Sequence, residues 1–72
     1  MAAFIGHGLL ARHSGEFECD APTRLGTLID ALSLSEDLRE NLLAVRDKRF
    51  IEESELISRS DTVHLFIATH GG

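Results

Sequence analysis

Few side chains in this chain have the types and spacing to do chemistry. The single cysteine, Cys19, sits in Glu16-Phe17-Glu18-Cys19-Asp20-Ala21, alternating with acidic residues. It falls on the apolar side of that alternation and has no basic neighbour to favour a thiolate, so it reads as a small buried hydrophobe rather than a persulfide relay. The four histidines, His7, His13, His64 and His70, lack the close spacing of a metal-ligand set, and no metal site is expected. Glu52, Glu53 and Glu55 read as a solvated face.

What remains is the end of the sequence, Thr69-His70-Gly71-Gly72, directly after a run that reads as a buried strand. Glycine makes up about 7% of average usage, so two in the last two places is a chance event of roughly half a percent and calls for a reason. With no side chain to pack, Gly-Gly does not serve stability. Three readings are open: a frayed end, a remnant of cloning, or a terminus whose carboxylate is itself the reactive group.

Length and composition restrict what such an end can belong to. Seventy-two residues make one domain, and chains of that size bury only about 60% of the surface their unfolded form exposes. Ordering the chain costs on the order of 100 kcal/mol of conformational entropy, which leaves little apolar surface to line an enclosed active site. A self-contained enzyme is therefore not expected. A hydrophobic content of 43% with 26% charged residues is too apolar for a disordered chain. Seven basic against twelve acidic residues give a formal net charge of −5, which argues against nucleic acid and for partners with neutral or basic surfaces. One cysteine forms no internal disulfide, and the beginning of the sequence has no basic stretch followed by an apolar one, so a cytoplasmic location is expected. No apolar run approaches the roughly 20 residues that cross a bilayer, and no membrane partner is expected.

The elements that would position the end follow from periodicity. Ala2 to Gly6 reads as a first strand; Leu9 to Gly15 either continues it toward a turn or forms a short turn of helix. Phe17, Cys19 and Ala21 alternate with Glu16, Glu18 and Asp20, the period of a half-buried strand. Leu25, Leu28, Ile29 and Leu32 then give one apolar helix face, with Thr23 the expected N-cap after Pro22. Gly26 inside that helix costs up to about 1 kcal/mol relative to Ala, so packing compensates or something approaches closely there. Ser35 caps a brief second helix opened by Glu36 and Asp37. Leu42 to Arg46 reads as a strand turning at Asp47-Lys48 into a few extended residues through Ile51. Leu56 and Ile57 suggest one tight helical turn pinning a loop to the core. In the last strand Val63, Leu65 and Ile67 point one way and His64, Phe66 and Ala68 the other, and its apolar character on both faces places it centrally in a sheet.

This order of elements, the Asp61-Thr62-Val63-His64-Leu65-Phe66 strand after a Ser-Asp turn, and the closing Thr-His-Gly-Gly together resemble the β-grasp sulfur-carrier proteins of the ThiS/MoaD family, relatives of ubiquitin. The fold the resemblance implies is α+β: a two-layer β-grasp with a mixed sheet of four to five strands on one main helix, a single domain over 1–72 with a flexible tail from about residue 68. The function it implies is that of a carrier, not an enzyme. The Gly72 carboxylate would be adenylated by a ubiquitin-activating-like adenylyltransferase that uses ATP, then converted to a thiocarboxylate with sulfur from a cysteine desulfurase or rhodanese-like donor. The sulfur would pass to a thiazole synthase or a molybdopterin synthase large subunit, and the carrier would hold no cofactor of its own. Gly71 would let the tail extend within a narrow channel, where a Cβ beside the reacting carbonyl would obstruct. Phe66 is the candidate docking residue, with Ile5 beside it on the outer face if the first and last strands pair; Ala68, Thr69 and His70 would line the way to the end.

Three features set the pathway open. His70 stands where the family usually has a small residue. The Phe66-Ile67-Ala68 stretch lacks the double proline common among molybdopterin-type carriers, which leans toward the thiamine type, while the long Gly6 to Gly15 connection leans the other way. Two other functions share the same features: a ubiquitin-like modifier joined to target lysines, and a plain β-grasp binding module whose glycines do nothing.

Overall fold

A computed structural model describes residues 2–17 and 20–68. Among them the chain runs through β1 (Ala2–Gly6), a 3-10 helix (Gly8–His13), β2 (Gly15–Phe17), β3 (Thr23–Arg24), α1 (Leu25–Asp30), α2 (Glu36–Glu40), β4 (Leu42–Arg46), β5 (Arg49–Ile51), β6 (Leu56–Ile57) and β7 (Thr62–Ile67). Five strands form one sheet in the order β2-β1-β7-β4-β5, and β3 pairs with β6 in a small second sheet. β1 and β7 are parallel, whereas β1 with β2, β4 with β7 and β4 with β5 are antiparallel. The result is the expected α+β, β-grasp-like fold with a mixed sheet, and the last strand lies at its centre.

The pleat of this sheet sorts every side chain to one of two sides. Phe4 pairs in register with Val63, Gly6 with Leu65, and Leu65 with Ala44. Phe4, Val63, Leu65 and Ala44 are all buried, and they meet Leu25 and Ile29 of α1 together with Leu10 and Ile57 in one core. Full burial of side chains such as these stabilises the fold by about 1.5–3 kcal/mol each. Phe17 of β2 closes one end, its ring centroid 4.4 Å from that of Phe4. The opposite face of the sheet has no layer of secondary structure on it among the described residues.

Local chemistry explains the connections. After β1 the chain turns into the 3-10 helix, the helical of the two alternatives, with the Leu10 N–H donating to the His7 carbonyl at 3.0 Å. This turn folds so tightly over Gly6 that a Cβ there would lie 1.8 Å from the Leu10 carbonyl oxygen. The Ser14 hydroxyl then accepts from the Gly6 N–H at 2.8 Å.

α1 begins one residue later than Thr23 would have it. Thr23 donates its hydroxyl to the Ala21 carbonyl instead of capping, and Arg24 holds the N-cap position with no side-chain cap bond. The orphan N–H groups of a helix start still need partners. Loop carbonyls supply them: Leu25 N–H donates to Glu55 at 2.8 Å and Gly26 N–H to Glu53 at 2.9 Å. Gly26 thus has the close approach its position in the sequence calls for. The helix also stops before Leu32, because Ser33 takes a left-handed conformation (φ 53°) and its N–H closes back on Asp30 at 3.2 Å. α2 is capped as expected, Ser35 accepting from the Leu38 N–H at 3.3 Å.

Residues 56–57 are a strand, not the helical turn their spacing suggests. Ile57 pairs with Thr23 and is buried, whereas Leu56 pairs with Arg24 and faces solvent. Two apolar residues in a row fit either structure; the backbone pairing offered by β3 decides it. The β4–β5 hairpin turns where predicted, with Asp47 and Lys48 both at positive φ (55° and 66°), the backbone twist that suits a two-residue hairpin.

Candidate functional site

The site is built on β7. Because Val63 and Leu65 face the core, His64 and Phe66 must face the other way. The register carries that face across the sheet: His64 lies opposite Ile5 of β1 and Val45 of β4, Phe66 opposite Leu43 of β4, and Val45 opposite Phe50 of β5. Ile5 is 39% exposed, Leu43 37% and Phe50 74%. Ile5, His64, Val45 and Phe50 thus form one row across four strands, with Phe66 and Leu43 beside it on the same face.

Phe66 is half-buried beside this row. Its ring is covered on one side by His7, at a centroid distance of 4.3 Å with the planes 7° apart. A shallow hollow of about 270 Å³ lined by His7, Gly8, Leu9, Phe66 and Ile67 lies beside it. Leu9, on the 3-10 helix, is 70% exposed at its rim. Hydrogen bonds fix this arrangement from behind: His7 N–H donates to the Leu65 carbonyl at 3.0 Å, so the residue that covers Phe66 is held by the strand that carries it.

Ile5 and Phe66 do share the outer face, but they are not side by side. Ile5 stands opposite His64, and the place beside Phe66 is taken by His7. Ala68 lies just past β7, where its N–H donates to the Asn41 carbonyl at 2.7 Å. Thr69, His70, Gly71 and Gly72, like Cys19, lie outside the described residues.

Compared with known proteins, the chain matches no protein-family model and no curated protein sequence.

The charged residues with ion-pair partners serve the scaffold. Arg39 bridges Asp30 at the end of α1 and Glu53 in the loop that caps its start, at 3.1 Å from the latter. Hydrogen bonds to Asp30 first and Glu53 second raise the pKa of its guanidinium, which stays charged in any case. Arg46 donates to the Leu56 carbonyl at 2.7 Å and to Glu55 at 3.0 Å, with Asp61 3.4 Å away. Asp61 also accepts from the Ser58 N–H at 2.7 Å, so one guanidinium and one carboxylate hold the whole 55–61 loop against β4. Among the described residues no three His, Cys, Asp or Glu side chains converge as a metal-ligand group, and no helix is long and apolar enough to cross a membrane.

Sequence reasoning singled out Phe66 and Ile5, which lie on this face, and did not single out His7, His64 and Leu43, which lie there too. The alternation of β7 already put His64 on the face of Phe66, so that residue was within reach. His7 was not, because its place depends on how far β1 slides along β7, which neither segment's own pattern fixes.

Proposed function

We propose that the chain is a sulfur carrier whose Gly72 carboxylate is the reacting group. The observation that carries this reading is the pairing of two features on one strand. β7 is central and presents Phe66 on an open apolar face, and the same strand leads directly toward Gly71-Gly72. A partner that grips Ile5, Leu43 and Phe66 thereby holds the strand that precedes Gly71-Gly72 in the sequence.

The folded body then acts as a handle. The carboxylate oxygen of Gly72 attacks the α-phosphorus of ATP in an adenylyltransferase and pyrophosphate leaves. A persulfide sulfur from a cysteine desulfurase or rhodanese-like donor attacks the acyl carbon and AMP leaves. A thiol cleaves the resulting acyl disulfide, and the thiocarboxylate remains. General base, oxyanion donors and magnesium belong to the adenylyltransferase in this scheme. The receiving enzyme is a thiazole synthase or a molybdopterin synthase large subunit.

Deleting Gly72 tests the reading. The shortened chain should fold as before yet give no ATP-dependent pyrophosphate release with the adenylyltransferase. Normal release from that variant would contradict the role given to Gly72; no release even from the full chain would leave the plain binding module, and covalent ladders on target lysines would point to a modifier.

A further inference from the structure

The open face carries a second feature that docking does not require. Nε2 of His7 and Nδ1 of His64 lie 3.0 Å apart, although the residues are 57 positions apart in the sequence. The ring centroids are 5.2 Å apart with the planes 27° from parallel, so the two imidazoles meet edge to edge, nitrogen facing nitrogen. Both are held by backbone: His64 within β7, and His7 by its N–H bond to Leu65. The hydrogen bond between the rings already brings their facing nitrogens together.

We propose that His7 and His64 together bind a divalent transition-metal ion that favours cis, tetragonal coordination, copper(II) before all others. Metal–imidazole bonds are about 2.0–2.1 Å long, and two nitrogens 3.0 Å apart at that distance subtend an angle of about 95° at the metal. This is the cis angle of a square-planar or tetragonal site. Copper(II) combines the tetragonal preference with the highest intrinsic affinity for nitrogen ligands in the first-row series. Water fills the remaining positions, because the described residues offer no third ligand.

Each ring has to turn: with an angle of about 95° at the metal, each metal–nitrogen bond lies about 40° off the line joining the nitrogens, along which the two rings face one another. The metal lies off the line joining the two nitrogens, so each ring swings toward it. In the free pair one ring donates its N–H to the other; on binding, that ring moves the proton to its far nitrogen, which leaves both facing nitrogens with a lone pair for the ion. Acid displaces the ion, since a proton takes the same lone pair. The site is independent of the sulfur-carrier reading and needs neither Gly72 nor an activating enzyme.

The test uses the tag-free full chain, titrated with copper(II) sulfate in a weakly coordinating buffer. Substoichiometric copper should broaden the amide resonances of Ile5, His7, His64 and Phe66 before any others, and the electron paramagnetic resonance spectrum should be axial with hyperfine structure from two nitrogens. His7→Gln and His64→Gln should each weaken binding about tenfold or more, since losing a ligand costs at least as much as losing the outer partner of one. His13→Gln and His70→Gln should change it less than twofold. Broadening centred on the amino terminus, His13 or His70, or unchanged affinity in both His7→Gln and His64→Gln, would overturn the proposal.

Discussion

His7 lies flat on Phe66, ring centroids 4.3 Å apart and planes 7° from parallel, and its own backbone is bonded to the strand that carries Phe66. One side of the phenyl ring is therefore covered by the protein itself and held in place, while the rest looks onto the open sheet face. A ring fixed in this way costs little entropy to bury in a partner, which is the condition for an anchoring residue.

Phe66→Asp separates docking from folding. Losing the stack should cost about 1 kcal/mol of stability, whereas docking to the adenylyltransferase should weaken by about 2 kcal/mol or more. Calorimetric binding together with a denaturant melt reads both quantities. Wild-type affinity in the variant would remove Phe66 from the contact surface.

Gly6→Ala puts a Cβ 1.8 Å from the Leu10 carbonyl oxygen and 2.5 Å from its carbon. These are backbone atoms of the 3-10 helix, so no rotamer change relieves the clash, and the turn carrying His7 and Leu9 has to move. A loss of about 3 kcal/mol is expected in urea unfolding. A stability within about 0.5 kcal/mol of wild type would mean that this turn is not packed as described.

The β4–β5 turn offers the opposite sign. Lys48 sits at φ 66°, where glycine is free of the Cβ penalty. Lys48→Gly should stabilise the chain by about 0.5–1 kcal/mol despite the added freedom of the unfolded state. The thermal midpoint, measured beside that of wild type, checks the sign.

Arg46 is a test of geometry over charge. Its fork reaches the Leu56 carbonyl and Glu55 together, and the backbone carbonyl of Glu55 accepts from the Leu25 N–H at the start of α1. Arg46→Leu should cost about 2 kcal/mol, and Arg46→Lys should recover less than half of it because an ammonium does not span both acceptors. Full recovery in the lysine variant would reduce the interaction to simple charge pairing.

The sequence pattern foretold the frame of this fold where burial alone dictates structure. The apolar character of Val63, Leu65 and Phe66 pointed to a central strand, and β7 does lie between β1 and β4. Ser35 and the Asp47-Lys48 turn were legible because their chemistry is local. Thr23 and residues 56–57 were not, since their conformations are settled by each other: β3 and β6 pair, and the loop behind β6 caps α1 in place of a threonine side chain. The same holds at the site. Phe66 follows from alternation within one strand, but the stack of His7 on Phe66 and the meeting of His7 with His64 depend on a parallel register between the two ends of the chain.

The most direct measurement is the intact mass of the chain after incubation with ATP, the adenylyltransferase and a sulfur donor. Replacement of one carboxylate oxygen by sulfur adds about 16 Da, confined by fragmentation to Gly72, and the account predicts that gain. A mass that stays unchanged while the adenylyltransferase converts a known carrier, or a gain that persists when Gly72 is deleted, would contradict it.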